Sequence, residues 1–264
     1  MRGANARKIV VANFMCIFLL SWVICMSIMK IHLISYGDNR YESQKDFFLE
    51  TASHSDFFYD IGIYGPEDID HVFNEQFQTI LNHQKGGGYW IWKPYFIKKV
   101  LDDLPDNDIL IYCDAGCMIN QHGNKRFKDY IEILNSSDKG SLAFELPHKE
   151  IEFTKWEVFD SLNCSAEIIN SNQLMATVIL LRKCSHASLL VEYWNSILYV
   201  KPLLFTDDKH PGFQDDEFID HRHDQSIFSL VRKTYGSEIL PDETYFLDFI
   251  REGQNYPFWA ARLR

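Results

Sequence analysis

The sequence predicts an α/β fold: a mainly parallel sheet with helices on both faces, preceded by one N-terminal transmembrane helix. Three observations carry the prediction. Short runs rich in Ile, Leu and Tyr alternate with amphipathic segments over residues 31–235, the pattern of a sheet covered on both sides. One such run, Ile109-Leu110-Ile111-Tyr112-Cys113, ends in Asp114-Ala115-Gly116 and presents an acid at a strand's carboxyl end, where open α/β sheets gather their ligands. The first thirty residues hold an uncharged apolar run that stands apart from everything after it.

Arg2, Arg7 and Lys8 precede that run, which extends over residues 9–29 and as a helix would reach about 32 Å at roughly 1.5 Å per residue, enough to cross a hydrocarbon core. The cationic flank predicts a cytosolic tail at residues 1–8, a signal anchor at 9–29 and one domain at 30–264 on the far side of the membrane, a type II single-pass arrangement. A cleaved signal peptide is the competing reading, but no small-x-small cleavage site follows the run. With 264 residues, 46% hydrophobic and no Pro/Gly/Ser-rich linker, the chain predicts a single core. A formal net charge of −11 argues against nucleic acid as a partner. Cys16 and Cys25 fall in the apolar run; Cys113, Cys117, Cys164 and Cys184 follow it, and a luminal domain permits disulfides among them without the sequence giving the pairing. Asn135-Ser136-Ser137 and Asn163-Cys164-Ser165 match the N-glycosylation pattern.

The elements follow in order. Residues 31–36 form a first strand ended by the turn Gly37-Asp38-Asn39, and residues 43–55 a helix with Phe47, Phe48 and Ala52 on its apolar face. A second strand covers 57–64, and Gly65-Pro66-Glu67-Asp68 opens a second helix. Pro94 starts a helix running to Leu104 before the 109–113 strand. Then come a helix near 125–136, a strand near 141–145, a helix at 154–162, one strand at 174–181, an amphipathic helix at 185–199 and a late helix at 227–235. Residues 205–220, with His210-Pro211-Gly212 and a run of acids, form the longest loop, a candidate lid.

Gly86-Gly87-Gly88-Tyr89-Trp90-Ile91-Trp92-Lys93-Pro94-Tyr95, followed by the strand ending in Asp-Ala-Gly, resembles the nucleotide-sugar binding core of GT-A-type glycosyltransferases, a Rossmann-like fold, over roughly residues 31–235. Many members carry Asp-x-Asp where this chain has Asp114-Ala115-Gly116. His221-Arg222-His223-Asp224-Gln225 resembles the Asp-Gln signature that several such families place at the start of a late helix facing the donor. The resemblance implies transfer of a sugar from a nucleotide-diphosphate donor to a hydroxyl of a glycan, protein or lipid acceptor, in a domain luminal to the Golgi or ER or otherwise extracytoplasmic, with the membrane as a further partner through the N-terminal helix.

On that resemblance, Mn²⁺ or Mg²⁺ is the expected cofactor, with Asp114 and an imidazole as ligands: His223 first and His221 second, because residues i and i+2 point differently on a regular backbone. Donor binding is expected of Asp38, Arg40, Gly87, Gly88, Lys93, Asp114, Gly116, Gln173 and Gln225, and proton transfer of Asp224 or Glu145. Each has a plainer reading. Asp224 caps a helix, Asp114 forms a turn, Asp38 and Arg40 are a turn acid and a surface base, and glycine runs are ordinary loops. Lys93 is harder to explain that way: a cation at the N-terminal edge of a helix opposes the macrodipole and needs an anionic partner, a diphosphate or an acidic neighbour. Two rivals stand beside the transferase. One is a metal phosphohydrolase suggested by the adjacent His223-Asp224, which requires a mostly helical domain; the other is a non-catalytic membrane-tethered module that binds nucleotide sugars or glycans.

Overall fold

The computed structural model describes residues 29–210 and 212–263. Among these no helix is long and apolar enough to cross a membrane; the expected transmembrane segment lies, except for its last residue, outside them. The elements run β1 (Ile31–Tyr36), α1 (Glu42–His54), β2 (Asp60–Tyr64), α2 (His71–Leu81), α3 (Trp92–Asp103), β3 (Ile109–Cys113), β4 (Met118–Ile119), α4 (Asn124–Ser136) and β5 (Ser141–Lys149). Then come α5 (Trp156–Leu162), β6 (Asn172–Leu174), β7 (Val178–Arg182), α6 (Ser185–Val200), α7 (His223–Tyr235), β8 (Glu238–Pro241) and β9 (Phe258–Trp259), with short single turns between.

Seven strands form one sheet in the order β2-β1-β3-β7-β5-β6, with β8 alongside β5; β4 and β9 pair separately. The expected mainly parallel sheet is corrected to a mixed one. β2, β1 and β3 are parallel, as are β5 and β8, but β7 runs antiparallel to both β3 and β5, and β6 antiparallel to β5. Runs such as 178–182 are buried on both faces whichever way they point, so their composition carries no direction. Side chains alternate as the pleat requires. Ile34, Leu110, Tyr112, Ile179 and Leu181 face a layer made by α2, α3, α6 and α7, and Leu33, Ile109, Ile111, Leu142 and Leu180 face α1 and α4. A mixed sheet with helices on both faces excludes the all-helical phosphohydrolase.

Two other expectations shift. The helix expected from Gly65 is a single 3-10 turn at Pro66–Asp68, and α2 begins after Asp70, whose carboxylate accepts the Phe73 N–H at 2.8 Å. The single strand expected at 174–181 is two strands, β6 and β7, separated by Met175, Ala176 and Thr177, which turn into the cleft described below. That break has no Gly or Pro to announce it; tertiary bonds make it, with Gln225 Oε1 accepting the Ala176 N–H at 3.3 Å and Phe144 O accepting the Met175 N–H at 2.8 Å. Cys113, Cys117, Cys164 and Cys184 are free thiols, and burial pushes the first two well above their ordinary pKa.

Candidate functional site

A cleft of about 780 Å³ opens where the carboxyl ends of β1 and β3 meet the amino ends of β7 and α7. The parallel register of β1 with β3 brings Tyr36 and Asp114 to one edge, and the antiparallel β7 starts there too, with Thr177 O accepting the Asp114 N–H at 2.9 Å. α3 begins at Trp92, so its second residue, Lys93, points into the same corner.

Lys93 lies at the centre. Its Nζ stands 2.7 Å from Asp224 Oδ2 and 3.2 Å from Asp114 Oδ1, and donates to Ala176 O at 3.2 Å, with the side chain only 3% exposed. The anionic partner the helix position demanded is therefore a pair of acidic neighbours. Burial works against the Lys93 charge, but Asp114 and Asp224 outweigh it and raise its pKa above the ordinary lysine value. Asp224, in the first turn of α7 where a carboxylate suits the dipole, is almost wholly buried at the wall of the cleft. Burial pushes its pKa up to about 6 against the pull of Lys93, with the Asp114 charge adding to the rise. Asp114 also accepts the Tyr112 hydroxyl at 2.6 Å, yet its side chain remains one-third exposed toward the cleft. Three residues far apart in sequence thus form one charge unit.

At the β1 end, Tyr36 stacks on Trp92 with ring centroids 3.8 Å apart, and Trp92 Nε1 donates to Gly86 O at 3.0 Å. Gly87 and Gly88, at φ 55° and 93°, both require left-handed backbone, but they do different work. Gly87 lines the cleft with room above it, whereas a Cβ on Gly88 would lie 2.7 Å from Leu81 Cα, so Gly88 allows a chain crossing and is not among the lining residues. Asp38 lines the cleft and is chelated by the exposed Arg40, which faces a smaller adjoining cavity. The Arg40 pair holds the Asp38 carboxyl below its usual range.

Of the remaining expected residues, Gln225 and Gly116 line the cleft. Gln173 does not: it is completely buried behind Gln225, whose Nε2 donates to its Oε1 at 2.8 Å, while its own Nε2 donates to Thr154 Oγ1 at 3.0 Å. Glu145 is a correction as well. It is exposed on β5 and is not a lining residue; its neighbour Leu146, one pleat position on, is the one that reaches the cleft.

Among the described residues the expected ligands form no divalent-ion site, although His223 keeps one ring nitrogen free. Lys93 stands between Asp114 and Asp224, and both nitrogens of His221 are taken: Nε2 donates to Leu204 O at 2.9 Å and Nδ1 accepts the Lys155 N–H at 3.4 Å. Burial depresses the His221 pKa far below its ordinary value, so the ring is neutral. His223 donates from Nδ1 to Phe205 O at 2.8 Å; its Nε2 has no hydrogen bond and faces Asp207 Oδ1 at 3.5 Å. Burial lowers the His223 pKa to about 4. Among the described residues no group of three or more His, Cys, Asp and Glu side chains could hold a metal ion.

Sequence reasoning missed several lining or supporting groups. Lys85 pairs with Asp207 at 2.9 Å beside His223. Lys155 is buried and donates to the carbonyls of Leu203, Thr206 and Asp208 at 2.7, 2.8 and 2.7 Å. It fixes the start of the expected lid loop, and burial brings its pKa down to about 8. Arg222 and Arg262 also line the cleft. Lys85 adjoins the glycine run and was within reach of motif reading; Arg262, at the chain's end, carried no signal.

No protein-family model matches the sequence, and no curated protein matches it. Solved structures do. A glycosyltransferase involved in glycosylation of the major capsid of PBCV-1 aligns over 87% of this chain and 92% of its own, with TM-score 0.50 and 11% identity. Mouse xyloside xylosyltransferase 1 aligns over 88% and 98%, with TM-score 0.45 and 10% identity. The galactosyltransferase LgtC, in complex with donor and acceptor sugar analogs, aligns over 86% of each chain, with TM-score 0.43 and 11% identity. The first of these likenesses, with the mixed sheet and the cleft at the β3 carboxyl end, shows that the chain shares the GT-A-type fold of that glycosyltransferase.

Proposed function

We propose that the protein is a glycosyltransferase that moves a sugar from a nucleotide-diphosphate donor to a hydroxyl of a glycan, protein or lipid acceptor. The carrying observation is the Lys93 bridge, which joins the acid at the end of β3 to the acid at the start of α7 across one large cleft. Tyr36, Asp38, Gly87 and Trp92 form the end of the cleft that suits the nucleoside, and the backbone at Gly87 can approach it closely. Asp114, oriented by Tyr112 and Lys93 and partly open to the cleft, accepts hydrogen bonds from donor hydroxyls. Asp224 is the one member of the expected acid pair that lines the cleft, and a pKa near 6 suits a group that receives a proton near neutrality. Catalysis on this reading comes from positioning and from fixed charge.

The N-terminal anchor belongs to the same proposal and places the domain on the luminal or extracytoplasmic side. Protection of the domain from protease in sealed vesicles tests that arrangement. For the activity, the full-length chain in detergent is incubated with a panel of nucleotide-diphosphate sugars, and donor cleavage is followed with and without candidate acceptors. Cleavage of one donor class, lost in Asp114→Asn, is the expected result. Binding without any turnover would support the non-catalytic module instead, and no binding of any nucleotide sugar would sink both.

A further inference from the structure

The cleft that should receive a diphosphate belongs to a chain of net charge −11, and the Lys93 ammonium is already committed to Asp114, Asp224 and Ala176 O. Besides Lys85, which is paired with Asp207, two arginines line it. Arg222, immediately before α7, is half-buried with its guanidinium carbon 3.9 Å above the Phe153 ring. Arg262 arrives from the C-terminal segment, which is fastened beside the β3 end: Leu263 N–H donates to Gly116 O at 3.0 Å, and Arg262 Cα lies 3.6 Å from the point where a Gly116 Cβ would stand. Its guanidinium is 5.8 Å from the Tyr245 ring.

Both arginines line the cleft, and among the described residues neither makes an ion pair. Burial and then the Arg262 charge lower the Arg222 pKa, so the two guanidiniums feel one another; Asp220, Glu150 and Glu152 act on Arg222 in the opposite sense. His148 lies beside them, its pKa lowered by burial and by both arginines, while Glu152 and Asp242 oppose that effect. Two like charges facing a shared space without a carboxylate partner are an arrangement that an anion stabilises, and guanidinium forks match phosphate oxygens in pairs.

We propose that Arg222 and Arg262 clamp the diphosphate of the donor directly, with no divalent ion, while Lys93 occupies the position between the carboxylates. The proposal deepens the transferase reading and rests on it for the identity of the ligand. Its test uses the full-length chain in detergent and titration calorimetry with nucleoside diphosphates, the parent nucleosides, inorganic pyrophosphate and inorganic phosphate, each in EDTA and in Mn²⁺. The expected result is nucleoside diphosphate binding in EDTA within about threefold of that in Mn²⁺. Arg262→Gln and Arg222→Gln should each weaken it about tenfold or more, whereas nucleoside binding stays unchanged. Arg222→Lys, which keeps the charge and most of the stem over Phe153, should lose less than Arg222→Gln and guards against misfolding as the explanation.

Nucleoside diphosphate binding that requires Mn²⁺, or that ignores both arginines, overturns the clamp even if turnover is found. Arginine-dependent pyrophosphate binding in EDTA supports the clamp even if no nucleotide sugar is cleaved, so the two readings fail separately. Inorganic phosphate binding as tightly as pyrophosphate would assign the arginines to a phosphate on the acceptor and overturn the diphosphate assignment.

Discussion

Lys93 Nζ stands 2.7 Å from Asp224 Oδ2, an ion pair between the first turn of α3 and the first turn of α7 with both side chains almost wholly buried. A lysine so placed opposes its own helix dipole, and the carboxylate compensates. Removing the cation leaves Asp224 and the nearby Asp114 without their shared counter-charge. Lys93→Met should therefore cost about 3–5 kcal/mol of stability, the usual scale for breaking a buried pair from one side. Denaturant unfolding at pH 7 measures it. A loss under about 1 kcal/mol would mean that the pair is worth no more than a surface bridge.

The same geometry fixes a pH dependence. Asp224 has a folded-state pKa raised to about 6, mainly by burial, against an unfolded value of about 4. The native state therefore holds the proton more tightly, so the Asp224 contribution is present in full below about pH 4 and is lost as pH rises through 6. On the order of 3 kcal/mol is at stake for a shift of this size. Subtracting the unfolding free energies of Asp224→Asn from those of the parent protein across pH 4–7 isolates the effect, because the other carboxylates titrate in both. A flat difference curve would show that Asp224 is not raised.

Gly87 and Gly88 look alike in sequence and should separate in experiment. Gly88→Ala places a Cβ 2.7 Å from Leu81 Cα at φ 93°, so it should destabilise by about 3 kcal/mol or more. Gly87→Ala meets nothing nearer than Asp38 Oδ2 at 3.6 Å and should cost only about 1 kcal/mol of left-handed strain while weakening donor binding. Thermal unfolding paired with nucleotide titration distinguishes them. Equal stability losses would refute the division of roles.

Much of this architecture was legible because local chemistry and tertiary demand agree. The 109–113 strand, the turn after β1 and the helix opening near Pro94 all stand where periodicity and turn residues put them. The anionic need of Lys93 could be argued from its helix position alone. What was hidden depends on contacts across the sheet: the reversed direction of β7, the break at Met175–Thr177, and the satisfied nitrogens of His221, which its sequence neighbours do not reveal. Glu145 and Gln173 failed as lining residues for the same reason. A strand's alternation is readable, but which of its faces meets the cleft is set by its partners.

Asp114→Asn tests the charge cluster and the cleft together. The substitution is nearly isosteric, the Tyr112 hydroxyl can still donate to the amide oxygen, and Lys93 keeps Asp224 as its partner, so unfolding free energy at pH 7 should change by less than about 1 kcal/mol. Yet the Asp114 charge is one of the causes that raise the Asp224 pKa. Its loss should move the Asp224 transition below 6, shifting the acid side of a pH–rate profile in the same direction if Asp224 must be ionised for turnover. Donor cleavage itself should fall at least about tenfold, because the carboxylate open to the cleft is gone. The measurements are a pH–rate profile of the variant and its stability between pH 4 and 7. An unmoved Asp224 transition would disprove the effect of the Asp114 charge on Asp224, and unimpaired cleavage would reduce Asp114 to a turn residue at the end of β3.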